Sequence, residues 1–178
     1  MKLTEDFNLE PLVIKDASSL YSLMVSNAER FQLFLPKTLA QNLSLEDSKA
    51  YILRKNKEHR EKSQFTFAIK EKLTKTIAGL IILKNIHPDI LQAEFAYFIG
   101  KQFGGKRLTS HAVKEVLKFA YIDLGLKKFQ IIAHKTNPGS AKVALNNNFT
   151  WSKTLIGEFT QKGHFPFDME LYELSIEY

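Results

Sequence analysis

Gly104-Gly105-Lys106-Arg107 sets two glycines and two cations directly ahead of a segment with helical periodicity. In that segment Val113, Val116, Leu117, Ala120, Tyr121 and Leu124 recur at i, i+3, i+4, i+7, i+8 and i+11, one apolar stripe of an amphipathic helix. A helix N-terminus presents unpaired backbone N–H groups and the positive end of the macrodipole, so a basic glycine loop there suits a phosphate or pyrophosphate. Strand-to-helix turns also use glycine for geometry alone, and the loop by itself leaves both readings open.

Other chemistries are narrowed by what the 178 residues contain. There is no cysteine, which excludes disulfides, a thiolate nucleophile and thiolate metal sites, so acyl transfer would proceed without a cysteinyl intermediate. His59, His87, His111, His134 and His164 lack metal-ligand spacing, and no metal is expected. The net charge of +6 is carried mostly by lysine, the arginines being Arg30, Arg54, Arg60 and Arg107. Such a surface suits nucleic acid, an acidic partner or a phosphorylated cofactor, and most of these lysines are expected simply to be solvated. Aromatic residues do not interleave with them as in a stacking platform, so nucleic acid is not expected as a partner. Glu5 and Asp6 with no apolar stretch behind them do not resemble a signal peptide, and the run Leu80–Leu83 is far too short to span a bilayer. The expectation is a cytoplasmic protein with no membrane partner.

The elements that must position the loop follow from pattern. Phe95, Tyr97 and Ile99 alternate as a strand stopped by Gly100, and Gly125 suits the end of the helix that follows the loop. Upstream, the sequence predicts a strand over Asn8–Ile14, Asp16 as an N-cap, helical spacing at Leu20, Leu23 and Met24, and a break at Pro36. Ser44-Leu-Glu-Asp47 reads as a capping box opening a basic helix to about Lys62. Strands are predicted at Phe65–Ile69, Thr76–Ile86 and Phe129–His134, a short helix at Ser140–Asn147, and two last strands at Trp151–Phe159 and Phe167–Ile176 with a turn near Lys162-Gly163. Strand, helices, three strands, helix, strand, helix and two strands make a mixed α/β sheet.

This order, with Glu94-Phe-Ala-Tyr97-Phe-Ile99, Asn137-Pro-Gly-Ser140, Asn148-Phe149 and Asp168-x-x-x-Tyr172, resembles the GNAT superfamily of acetyl-coenzyme A-dependent N-acetyltransferases, and within it the RimJ/RimL-like branch. The opening Leu9–Asp16, Asn27 and Leu35-Pro36 are similar too, so the resemblance covers nearly the whole chain. Departures are Ala96 where the strand usually has glycine, Asn148 for a glycine before Phe149, and Ala144 where many members carry a tyrosine. Aligned without gaps, the branch's Q-G-K-G-x-A falls on Gly104–Thr109, with Arg107 at its second glycine.

The resemblance implies one domain over residues 1–178, with a mostly antiparallel twisted sheet of about seven strands and helices on both faces. It implies acetyl-CoA as co-substrate and direct transfer to a primary amine. A protein N-terminal α-amine is the first expectation; a small-molecule amine, or a non-catalytic coenzyme A- or partner-binding module, are the alternatives, and a homodimer is allowed. By the same resemblance Glu94 is the candidate base, or an ion-paired glutamate, and Ser140 is the hydroxyl for the departing thiolate, or a helix cap. Phe98 and Ile99 would present backbone N–H groups to the thioester oxygen. Gly104, Gly105, Lys106, Arg107, Leu108 and Thr109, with Asn137, would hold the cofactor, and Glu158 and Asp168 would position the acceptor.

Overall fold

The computed structural model describes residues 1–159 and 167–176. Its elements run β1 (Phe7–Pro11), α1 (Ala17–Ser26), α2 (Ala28–Phe34), α3 (Pro36–Ala40), α4 (Leu45–Arg60), β2 (Phe65–Glu71), β3 (Ile77–His87), β4 (Gln92–Ile99), α5 (Leu108–Ile122), β5 (Lys128–His134), α6 (Pro138–Asn146), β6 (Thr150–Phe159) and β7 (Phe167–Ser175). The seven strands form one mostly antiparallel sheet in the order β1-β2-β3-β4-β5-β7-β6. The expected order of elements and the expected sheet are both present.

The parallel pair inside this sheet is β4 with β5. Its register runs from Gln92↔Lys128 to Phe95↔Ile131 and stops there, although β4 continues to Ile99 and β5 to His134. The edge of β4 beyond Phe95 therefore leaves the β5 ladder.

Contacts gather into two compact units, Met1–Ile82 with Tyr97–Ala112, and Leu83–Ala96 with the chain from Val113 onward. The first unit is built on an apolar cluster that includes Leu20, Leu23 and Met24 of α1, Phe31 of α2, Tyr51 and Ile52 of α4, Leu80 of β3 and Phe98 of β4. In the second, the rings of Phe95 and Phe129 lie 5.9 Å apart and the edge of Phe149 meets Phe95 at 6.3 Å. Val113, Val116, Leu117 and Ala120 of α5 are buried, as the stripe requires, while the helix ends at Ile122, short of Leu124. Gly125 takes φ +68°, the left-handed conformation that glycine adopts without steric cost, and turns the chain out of the helix.

Several local expectations are corrected. The first strand ends at Pro11, and Ile14–Asp16 is a 3-10 turn. Asp16 stands at the N-cap position of α1 as expected, but its carboxylate does not cap that helix: it accepts from the Val13 N–H at 2.8 Å, closing the 3-10 turn, and pairs with Lys70. Pro36 does end α2, but it also opens α3 from the first helical position, where its missing N–H costs nothing. Ser44 caps α4 as expected, accepting from the Asp47 N–H at 3.1 Å. The last helix begins at Pro138, two residues before the expected start, because Asn137 is its cap. The turn near Lys162-Gly163 lies outside the described residues.

Candidate active site

In the first unit, the end of β4 is fixed by groups that reach it from Asn27 at the head of α2, from α2 itself and from β3. The Gly100 N–H donates to the Ala78 carbonyl at 2.7 Å, the Lys101 N–H donates to Asn27 Oδ1 at 2.9 Å, and Arg30 donates from Nη2 to the Ile99 carbonyl. Phe98 is buried, its ring edge-on to Phe31 with centroids 5.1 Å apart. Gly79 of β3 admits this strand by lacking a side chain: a Cβ there would stand 2.2 Å from the Phe98 carbonyl oxygen. Burial holds the Arg30 guanidinium below its ordinary pKa, and its Nε is buried with no hydrogen-bond partner.

After β4 the chain makes a 3-10 turn at Lys101–Phe103, and Gly104 through Arg107 are exposed. Gly105 has φ +78° and Arg107 φ +58°. The residue that stands at the family's second glycine thus keeps a glycine-like backbone, at the steric cost any side chain meets there. Lys106 lies over the Phe103 ring, 5.9 Å from its centroid. Leu108 and Thr109 are buried and anchor the first turn of α5, so backbone N–H groups are what they can offer a ligand. Exposed cations, a left-handed glycine and the start of a 15-residue helix are the chemistry of an anion cradle. These are groups of the kind that phosphate-bearing ligands take.

In the second unit Glu94 of β4 has both oxygens engaged, Oε1 with Lys84 Nζ at 2.8 Å and Oε2 with Asn85 Nδ2 at 2.8 Å. Asn85 sits in β3 with φ +49°, an irregularity that turns its amide toward that carboxylate. At the start of α6 the Asn137 side chain accepts from the Ser140 N–H at 3.1 Å. The cap is therefore Asn137, and Ser140 occupies the third helical position, half-buried. Asp168 accepts from the Gly157 N–H at 3.2 Å and steadies the β6–β7 pair where the register shifts. Glu158 lies in β6, and its side chain is outside the described residues. His134 closes a turn with Thr136, whose N–H donates to Nδ1 at 3.1 Å.

No pattern in the sequence marks a role for Arg30, Gly79, Lys84 or Asn85, and Asn27 stands out there only as a point of likeness. An arginine in a lysine-rich chain and a glycine inside an apolar strand were the available signals. The contacts themselves join residues far apart in sequence.

The sequence matches the family described as acetyltransferase (GNAT) domain over residues 6–150. Among curated proteins no match was found. The microcin C7 self-immunity acetyltransferase MccE, solved with acetyl-CoA and AMP, is 25% identical with a TM-score of 0.89, over 99% of this chain and 96% of that one. RimL, a ribosomal L7/L12 α-N-protein acetyltransferase solved with coenzyme A, is 18% identical with a TM-score of 0.90, over 98% and 97%. The ribosomal-protein-S5-alanine acetyltransferase from Vibrio fischeri is 18% identical with a TM-score of 0.88, over 97% and 94%. Among the described residues no group of metal-ligating side chains comes together, and no helix is long and apolar enough to cross a membrane. With the family matched across most of its length and the sheet in place, the chain belongs to the GNAT acetyltransferases, N-acetyltransferases that draw on acetyl-CoA.

Proposed function

We propose that the chain works in the cytoplasm as one catalytic domain that moves acetyl from acetyl-CoA to the α-amine of a protein N-terminus. The observation that carries this reading is the engagement of Glu94 by Lys84 and Asn85. Both oxygens of Glu94 already accept from other donors, so a proton from the acceptor is relayed to it through water, and the site suits an amine that needs little help to become neutral. An α-amine, with a pKa of about 7.7 to 8.0, is such an acceptor, whereas a lysine side chain near about 10.4 is not. The fold shared with RimL and the S5-alanine acetyltransferase, which act on ribosomal proteins, supports the same acceptor class.

In this reading the loop Gly104–Thr109 and Asn137 hold the coenzyme, and the Phe98 and Ile99 backbone N–H groups receive charge on the thioester oxygen. The neutral amine attacks the thioester carbon; an N–C bond forms and the C–S bond breaks. The amine proton leaves through water toward Glu94, and the thiolate takes a proton from the Ser140 hydroxyl, which water restores. Asp168 and Glu158 draw the acceptor's ammonium before it deprotonates.

A second reading, a small-molecule amine bearing a phosphate, is supported by AMP in the MccE complex and by the basic residues of α4. The test offers three acceptors with acetyl-CoA: a lysine-free peptide with a free N-terminus, an N-terminally blocked peptide with one lysine, and an amine-bearing nucleotide. Acetylation of the first alone is expected. Acetylation of the blocked peptide at a matching rate contradicts the α-amine assignment, and turnover confined to the nucleotide selects the second reading.

A further inference from the structure

At the end of β4 two successive peptide groups are clamped, both within the first unit. The Ile99–Gly100 peptide is held at its carbonyl by Arg30 and at its N–H by the Ala78 carbonyl at 2.7 Å. The Gly100–Lys101 peptide is held at its N–H by Asn27 Oδ1 at 2.9 Å. Asn27 is itself buried and anchored, its Nδ2 donating to the Leu23 carbonyl at 2.9 Å. One residue earlier, Phe98 rests on Phe31, and the Arg30 guanidinium lies 5.0 Å from the centroid of that same Phe31 ring. Asn27, Arg30 and Phe31, at the start of α2, therefore contact Lys101, Ile99 and Phe98 in turn.

The arrangement is costly for stability alone. Arg30 is partly withdrawn from water, and its Nε is buried without a partner. An apolar side chain would fill this space with no desolvation penalty. What only a cation supplies here is a charge-assisted bond to a backbone carbonyl, which fixes the plane of the peptide next to the Phe98–Ile99 N–H groups.

We propose that Arg30, seconded by Asn27, is a positioning residue of acetyl transfer, one that sets the direction of the β4 backbone donors facing the thioester oxygen. The inference rests on the function proposed above. It separates two properties of the enzyme: affinity for acetyl-CoA resides in the loop at residues 104–109, while the rate of the chemical step depends on this brace. Oxyanion donors act through placement, and a small misplacement is felt in the transition state more than in cofactor binding.

The experiment compares Arg30→Met, which keeps volume without a donor, with Arg30→Lys, which keeps charge and one donor. It measures kcat on the free-N-terminus peptide, acetyl-CoA affinity by calorimetry, and melting temperature. Arg30→Met is expected to lower kcat roughly 10- to 100-fold with acetyl-CoA affinity within about threefold of wild type, and Arg30→Lys to recover most of the rate. A wild-type kcat in Arg30→Met overturns the inference, as does a loss in which both variants fall together with their melting temperatures. A wild-type protein that neither binds acetyl-CoA nor acetylates an amine overturns the functional reading itself, and the inference with it.

Discussion

The ammonium of Lys70 in β2 lies 2.6 Å from Asp16 Oδ2, with the two side chains 5% and 8% exposed. Glu10 stands behind at 3.5 Å from the same ammonium, and the Pro11 carbonyl accepts from it at 3.3 Å. A charge pair this buried is destabilised when one member is removed, because the survivor loses its nearest countercharge and Lys70 is left with only the more distant Glu10 and the Pro11 carbonyl. Asp16→Asn is therefore expected to cost about 3 kcal/mol or more in chemical denaturation. The joint change of Asp16→Leu with Lys70→Met is expected to cost less than either single change, which a double-mutant cycle measures.

At Gly79 a side chain has no room: a Cβ would also stand 2.9 Å from the Ile99 Cα. Both neighbours are backbone, so relief requires moving β4. Gly79→Ala is expected to destabilise by about 1–3 kcal/mol and to slow acetyl transfer by displacing the Phe98 and Ile99 donors. Denaturant midpoints and kcat measured on one preparation check both effects.

The Arg107 backbone, at φ +58°, tests the loop in the opposite direction. Relieving a left-handed side-chain residue is worth about 1 kcal/mol, so Arg107→Gly should raise the denaturation midpoint while lowering acetyl-CoA affinity through loss of a cation. Gly105→Ala, at φ +78°, should lower the midpoint. A midpoint for Arg107→Gly below wild type would contradict the strain assigned to that position.

His59 carries a pH dependence. Burial, with Phe65 4.8 Å away and Phe67 5.8 Å away, lowers its pKa below the ordinary 6.5. Between the lowered folded value and 6.5 the unfolded chain takes up a proton that the folded chain refuses, so stability rises with pH across that window. The contribution is complete above 6.5 and is lost as pH falls through the folded value. Denaturation midpoints in wild type should decline between about pH 7 and pH 5, and His59→Phe should flatten that part of the decline.

What the sequence made legible was what is local. The strand through Phe95, Tyr97 and Ile99, the stripe from Val113 to Ala120, Gly125 and the Ser44 cap are carried by neighbours in the chain, and each element is found, although burial along β4 passes from Phe95 to Phe98 while Tyr97 and Ile99 are half-buried. Asp16 does head α1, but its carboxylate goes to the Val13 N–H and to Lys70, and only the fold brings Lys70 to it. Asn137 and Ser140 are both good caps at almost the same place, and Pro138 decides between them by starting the helix. The brace of Asn27 and Arg30 on Ile99 and Lys101 is tertiary, and no periodicity announces it. Glu94 was read from its place in a strand, but its pairing with Lys84 and Asn85 depends on an irregular β3 that no residue pattern marks.

In the function proposed above, acetyl-CoA is held by the basic loop ahead of α5. Calorimetric titration of acetyl-CoA into wild type, Lys106→Ala and Arg107→Ala tests it most directly. Micromolar binding to wild type, weakened at least severalfold in each variant, is the expected result. An absence of binding, or binding that neither substitution changes, would contradict the account.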